Sequence, residues 1–209
     1  MIEVFLKGLG VGVAVAAPVG PIGLLCIKRT LARGWTTGFA TGLGVASADA
    51  TYGLMVAAGL AATGLLVAFA TPMQIAGGLM IAGLGAMSLR TFVNGPAPDL
   101  HAAEAPGARG LGTAFGSGYL LTLSNPMTIL AFAGLVAGLG ATAAGQPGAA
   151  YMLVGGIFAG SALWWATLAT ASSLARRRIT PRITRWLDLA SGLVLLVWGL
   201  WIALTALTA

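Results

Sequence analysis

The sequence contains little charge and a single cysteine. Of its 209 residues, 8% are charged and 58% are hydrophobic, whereas a soluble globular domain has roughly 25% charged residues. This composition excludes an ordinary soluble domain and is typical of a chain surrounded by lipid. Cys26, the one cysteine, cannot form an internal disulfide and is interpreted as a small apolar core residue.

The chain also lacks the motifs of common enzymes. It has no glycine-rich phosphate loop, no Cys-x-x-Cys pair and no nucleophile with a plausible base. Its one histidine, His101, lies near Asp99 and Glu104 in a proline-rich stretch without a second His or Cys close by. The sequence therefore predicts no enzyme, no metal site and no cofactor.

Six apolar stretches follow one another along the chain, at residues 4–27, 37–60, 73–89, 113–139, 149–174 and 186–207. A spanning helix needs about 20 mostly apolar residues, and these stretches lack the alternation of a membrane β-barrel. Lipid offers no hydrogen-bond partners, so each span has to satisfy its own backbone as a helix. The prediction is an all-α membrane protein, with six transmembrane helices in one domain over residues 1–209.

Positive charge is concentrated in three loops. The net charge of +6 would suggest a nucleic-acid partner in a soluble protein, but here it reports membrane topology instead. Ten of the eleven Lys and Arg residues lie between spans one and two, three and four, or five and six: Lys28, Arg29, Arg33, Arg90, Arg109, Arg176, Arg177, Arg178, Arg182 and Arg185. These loops are predicted to be cytoplasmic, with both termini periplasmic and the chain in the bacterial inner membrane. The arginines are interpreted as anchors to membrane lipids. Anchoring is also the favoured interpretation of Lys28 and Arg29, with gating of the cytoplasmic mouth as the alternative.

The second half of the sequence repeats features of the first half. Residues 17–22 align with 122–127, residues 47–49 align with 161–163, and Gly78 with Gly85 aligns with Gly192 and Gly199 at the same spacing. Three spans per copy is an odd number, so the second copy is inserted upside down. This predicts two inverted three-helix repeats, at about 1–92 and 113–209, joined by a cytoplasmic linker at about 93–112. The alternative is a chance match between unrelated helices rich in Gly and Ala.

Prolines interrupt spans one and four at matching places. Proline has no N–H and releases a carbonyl from helical pairing, and irregular backbone at membrane depth is tolerated only inside protein or beside a wet cavity. The half-helices that restart beyond the prolines expose N–H groups suited to a carboxylate, while the freed carbonyls suit an ammonium group. The candidate binding residues are therefore Pro18, Gly20, Pro21, Ser124, Asn125 and Pro126. The alternative for Ser124 and Asn125 is that they only cap the kink made by the proline.

Asp49 is the one acidic residue deep inside a predicted span. A carboxylate at the centre of a membrane helix costs about 2.5–3.5 kcal/mol on the insertion scale, so Asp49 is predicted to bind a proton or a solute ammonium. The alternative is a hydrogen-bonded packing residue. Trp164 and Trp165 lie near the middle of span five, where one is expected to wall the cavity and the other to pack, and Trp164 is the candidate for the wall.

These residues resemble the lysine exporter (LysE/RhtB) family of amino-acid efflux proteins. The resemblance is carried by Pro18-Val19-Gly20-Pro21, Gly34, Gly38, Asp49, Ser124-Asn125-Pro126, Gly192 and Gly199. Family members commonly have Pro-Gly-Pro at the first motif, and a neutral polar residue where this chain has Asp188. The resemblance implies a secondary transporter that exports amino acids or related small solutes by proton antiport, and it allows homo-oligomers. The alternatives are a membrane enzyme acting on lipid-linked substrates and a passive channel.

Overall fold

The computed structural model describes residues 1–18, 20–57, 70–94, 108–125, 128, 132, 148–176 and 181–208. Within these ranges the secondary structure consists of seven α-helices and no strand, which confirms the prediction of an all-α fold. The helices are α1 (Ile2–Ala16), α2 (Pro21–Arg33), α3 (Trp35–Ala57), α4 (Ala70–Asn94), α5 (Ala108–Leu123), α6 (Ala149–Arg176) and α7 (Pro181–Thr208).

Length and apolarity identify the helices that could cross a membrane. Among the described residues, two segments qualify on their own, Ala149–Ala175 in α6 and Asp188–Thr208 in α7, and α1 with α2 forms a third candidate as a bent pair. Predicted spans two and four continue beyond the described ranges, so the count of six spans stays a prediction.

The break in the first predicted span turns the chain sharply. α1 ends at Ala16, and α2 begins at Pro21 with its axis 85° from that of α1. Gly20 is the N-cap residue of α2 and Pro21 occupies the first helical position, where the missing N–H removes no helical hydrogen bond. The prolines thus predicted the interruption, whereas the direction of α2 was not predictable from them. After the turn, α2 packs against α3, α6 and α7.

α4 and α7 pack against each other in antiparallel directions. A Cβ atom added to Gly78 would lie 2.7 Å from the carbonyl oxygen of Gly199, and one added to Gly85 would lie 2.8 Å from that of Gly192. Real side chains do not approach backbone so closely, so glycine lets these helices meet backbone to backbone. The four glycines aligned in the sequence are therefore the ones that bring α4 and α7 into contact.

The other main contacts join α1 to α6 and α3 to both α5 and α6. Gly8 of α1 meets the backbone of α6 at Leu153, and Gly12 meets it at Ile157, so these two helices run parallel. α3 and α5 are parallel in the same way, whereas α3 crosses α6 in the antiparallel direction. α3 therefore packs against α2, α5 and α6, and Asp49 lies near its middle.

The helix ends beside the three cationic loops lie together at one end of the bundle, called here the cationic end. Lys28, near the end of α2, pairs with Asp188 near the start of α7. Arg29 donates to the carbonyl of Ala114 in the first half of α5, and Ser88, near the end of α4, donates to the carbonyl of Asp188. The starts of α1 and α6 meet at the opposite end. This grouping agrees with a topology in which the cationic loops share one side of the membrane.

Candidate functional site

A small cavity, called here the central cavity, lies where the break between α1 and α2 meets α3, α6 and the end of α5. Its volume is about 70 Å³. Its lining residues are Val15, Ala16, Pro18, Gly20, Pro21, Ile22, Gly23, Val45, Asp49, Thr122, Asn125, Thr128 and Trp165. A buried water needs at least about 10–15 Å³, whereas pockets for drug-sized ligands measure about 300–1,000 Å³. The cavity has room for several waters, and a larger solute requires it to widen.

Five of the residues predicted from the sequence line this one cavity: Pro18, Gly20, Pro21, Asp49 and Asn125. They come from three segments that are far apart in the chain. The break in span one, the middle of α3 and the residues after α5 are brought together because α3 packs against α5 and α6 while α1 packs against α6. The fold therefore assembles one site from both halves of the sequence.

The remaining predicted residues are placed differently. Ser124 packs against α4, where a Cβ atom added to Gly77 would clash with its side chain. Trp165 lines the cavity, while Trp164 packs against the hydrophobic core, so the two tryptophans exchange the roles predicted for them. Successive residues of a helix point about 100° apart, so only one of the pair can face the cavity. Pro126 lies outside the described residues.

Asp49 is buried, with 1% of its surface exposed. The hydroxyl of Ser161 on α6 donates a hydrogen bond of 2.7 Å to Oδ2 of Asp49. No Lys or Arg pairs with this carboxylate in the part of the chain that the structure describes. A buried carboxylate is costly without a proton or a cationic partner, so the position is suited to bind one or the other.

The N-terminal end of α2 borders the cavity. Ile22 and Gly23, in the first turn of α2, line it next to the N-cap residue Gly20. The first N–H groups of a helix lack a helical acceptor, and the helix dipole places partial positive charge there. This end of α2 therefore suits an anionic group such as a carboxylate, and binding of one there stays a prediction.

Another wall of the cavity is formed where α5 ends. The N–H of Asn125 bonds to the carbonyl of Thr122 at 3.1 Å, and the carbonyl of Asn125 accepts the N–H of Thr128 at 3.1 Å. Tyr52 of α3 donates its hydroxyl to the carbonyl of Leu123 and so ties this wall to the helix that carries Asp49. The sequence did not indicate this contact, because hydroxyl groups in helices commonly bond to their own backbone.

Trp165 brings a hydrogen-bond donor to the lining. The residue is 4% exposed, and its indole N–H has no hydrogen-bond partner among the residues with described side chains. Buried indole N–H groups usually bond to an acceptor. The N–H of Trp165 is therefore a donor that a bound solute or water could use.

An ion pair near the cationic end was missed by the sequence analysis. Nζ of Lys28 lies 2.7 Å from Oδ1 of Asp188, whose side chain is only 4% exposed. Lys28 also donates to the hydroxyl of Ser88. Lys28 was interpreted as a membrane anchor, but the structure places it in contact with α4 and α7. The one signal in the sequence was Asp188 itself, an acid where the resemblance predicts a neutral residue.

Metal-ligating side chains do not gather in the described ranges, which contain no group of three or more His, Cys, Asp or Glu residues that could hold an ion. His101, Asp99 and Glu104 lie outside those ranges. The prediction that the chain has no metal site therefore stays a prediction for the linker.

Comparison with known proteins now identifies the family. The LysE type translocator model matches residues 13–205. The chain belongs to the LysE type translocator family. The chain is also 27% identical over 199 residues to the "Putative amino acid efflux protein YcgF" of Bacillus subtilis (strain 168), a match that covers 94% of this chain and 93% of that protein. No solved structure matches the chain.

Membership of this family confirms the resemblance seen in the sequence. It also confirms that this LysE type translocator is a transporter and not an enzyme, because translocation is the activity of the family. The apolar helices α6 and α7 agree with a protein that resides in a membrane.

Proposed function

We propose that this LysE type translocator is a secondary exporter that moves amino acids or related small solutes out of the cytoplasm across the bacterial inner membrane. The observation that carries the proposal is the central cavity, which joins the proline-rich break, Asp49 and the turn at Asn125. The name of the Bacillus subtilis relative, an amino acid efflux protein, supports the substrate class.

The lining of the cavity offers complementary groups to an amino acid. The first turn of α2 at Ile22 and Gly23 suits the carboxylate, because helix N-termini attract anions. Asp49 suits the ammonium group, and the indole N–H of Trp165 is a further donor. A site built in this way recognises the two charges shared by all amino acids and leaves the side chain to the apolar lining.

Coupling to protons is proposed for Asp49. Its carboxylate has one hydroxyl partner, Ser161, and is otherwise surrounded by protein. A proton and a solute ammonium neutralise the same charge, so binding of one favours release of the other. Alternation between these two partners is the exchange that a proton antiporter performs.

Two inverted repeats would supply alternating access to the cavity. Gly78 aligns with Gly192 but contacts Gly199, and Gly85 aligns with Gly199 but contacts Gly192. Equivalent residues exchange contacts in this way when a two-fold axis relates the two partners. For antiparallel membrane helices such an axis lies in the membrane plane, and these contacts therefore support the inverted arrangement of residues 1–92 and 113–209.

The ion pair between Lys28 and Asp188 is proposed to close the cytoplasmic side. It joins α2 of the first repeat to α7 of the second at the cationic end, with Asp188 buried. Separating the two repeats at that end breaks the pair. A small central cavity and an intact pair are the features expected of a form closed toward the cytoplasm.

Flux measurements test the proposal. Everted membrane vesicles containing the protein should accumulate labelled amino acids when a pH gradient is imposed, and much less without the gradient. A passive channel predicts equal entry under both conditions. Uptake no greater than in vesicles without the protein, for all twenty amino acids, would contradict amino-acid export.

A further inference from the structure

Arg29 places a guanidinium group inside the bundle, and no carboxylate of the described residues pairs with it. Its Nη1 donates to three oxygen atoms: the hydroxyls of Thr41 at 3.0 Å and Ser117 at 2.8 Å, and the carbonyl of Ala114 at 3.3 Å. All three acceptors are uncharged. Arg29 is half-buried, and a guanidinium stays charged at every physiological pH.

The carboxylates of the described residues are engaged elsewhere. Glu3 pairs with Lys7, Asp188 pairs with Lys28, and Asp49 accepts the hydroxyl of Ser161. Charge-assisted hydrogen bonds are roughly twice as strong as neutral ones, and guanidinium matches a carboxylate with two parallel bonds. A carboxylate from outside the chain would therefore be a stronger partner for Arg29 than its present acceptors.

The hydrogen-bond partners of Arg29 lie close to the central cavity. Its partner Thr41 lies one helical turn before Val45 on α3, and its partner Ser117 lies five residues before Thr122 on α5. Val45 and Thr122 both line the cavity, so at 1.5 Å per residue the Arg29 contacts lie about 6–8 Å from it. They lie on the side of the cationic end, where a solute from the cytoplasm would arrive.

We propose that Arg29 binds the carboxylate of the exported solute on its way to the central cavity. The inference rests on the proposed function and adds a substrate requirement to it. The carboxylate replaces the hydroxyls of Thr41 and Ser117 as partner of the guanidinium. Solutes that keep the amino group but lack the carboxylate, such as amino-acid amides, are then poorly accepted from this side.

Exchange by the purified full-length protein in proteoliposomes tests this inference. The probe is whichever of the twenty labelled amino acids the wild type exchanges fastest. Its exchange is inhibited either by the same amino acid without label or by the primary amide of that amino acid. The wild type should bind the amide at least tenfold more weakly, a difference of about 1.4 kcal/mol. Arg29→Gln should weaken binding of the acid at least tenfold and leave binding of the amide unchanged, so the ratio of the two inhibition constants, amide to acid, falls at least tenfold.

Arg33→Gln is the matched control, because Arg33 is an exposed cation one turn further along the same helix. It should keep the wild-type ratio. A wild-type ratio in Arg29→Gln would overturn the inference and leave Arg29 as a structural tie. If that variant does not fold, Arg29→Lys decides: a loss of at least threefold for the acid alone supports the inference, and an unchanged ratio overturns it.

Two further outcomes separate the possible failures. Replacing gluconate by chloride should not inhibit exchange, and strong inhibition by chloride would mean a general anion site and overturn the inference. If the wild type exchanges none of the twenty amino acids, the proposed function fails first. Exchange by the wild type combined with an unchanged ratio in Arg29→Gln rejects the role of Arg29 alone.

Discussion

Ser161 of α6 donates a 2.7 Å hydrogen bond to the carboxylate of Asp49 on α3. The bond crosses between the two halves of the sequence, because Asp49 belongs to the first and Ser161 to the second. It lies beside the central cavity, to which α1, α2 and the end of α5 also contribute. The most buried acid of the described chain is therefore bound by a side chain from the other half of the sequence.

Asp49→Asn keeps the shape of the side chain and removes its titratable charge. We expect this variant to insert and fold, to lose uptake driven by a pH gradient in everted vesicles, and to retain exchange of solute without a gradient. Rates are compared at matched protein level. Gradient-driven uptake by Asp49→Asn at the wild-type rate would show that Asp49 carries no coupling proton. If, in addition, Asp49→Leu lowered expression and Asp49→Asn did not, Asp49 would have a packing role.

Ser161→Ala removes the hydroxyl that bonds to Asp49. Loss of a partner from a buried polar group costs about 1–3 kcal/mol, so the variant should unfold at a lower temperature in detergent. Ser172→Ala is the control, since Ser172 is a buried serine of the same helix that bonds to the carbonyl of Leu168. Equal losses in the two variants would argue that the bond to Asp49 contributes nothing specific.

The Lys28–Asp188 ion pair should show energetic coupling. Lys28→Met and Asp188→Asn, alone and together, form a double-mutant cycle, with an expected coupling of about 1–3 kcal/mol in unfolding free energy. We expect the coupling to lie in the lower part of this range, because a quarter of the Lys28 side chain is exposed. The exposed pair Glu3–Lys7 is the control and should show no measurable coupling. Additive effects at Lys28 and Asp188 would remove the argument for a closure.

Gly78→Ala should separate α4 from α7. The new Cβ would lie 2.7 Å from the carbonyl oxygen of Gly199, and overpacking of this kind costs about 1–3 kcal/mol. Gly83→Ala, on the same helix with nothing within 4 Å of its added Cβ, should leave stability unchanged or raise it. Thermal unfolding of the two variants side by side provides the measurement, and equal stability would contradict the close helix contact.

The predicted topology has a direct test. In a Cys26→Ala background, a cysteine at Ala209 should react with a membrane-impermeant reagent in intact spheroplasts, and one at Ala108 should not, because the cationic loops are predicted to be cytoplasmic. Broken membranes serve as the control in which both sites react. The reverse pattern of labelling would place both termini in the cytoplasm.

The sequence by itself determined that lipid surrounds the chain, that its secondary structure is helical, and where its helices break. Low charge and long apolar stretches predicted helices in lipid, because lipid cannot satisfy an exposed backbone. Pro21 predicted the restart of α2, because proline fits only the first turn of a helix. Asp49 and Asn125 were predicted as site residues from their depth and neighbours, and the structure places both on the cavity.

The tertiary structure decided which side chains meet. Trp164 and Trp165 are adjacent in sequence, and only the rotation of α6 against α3 determines that Trp165 lines the cavity. Lys28 and Asp188 are 160 residues apart and pair because the 85° turn before α2 carries it across to α7. Composition and periodicity indicate which segments lie in the membrane. Contacts between distant residues depend on how all the helices pack, which is a property of the whole chain.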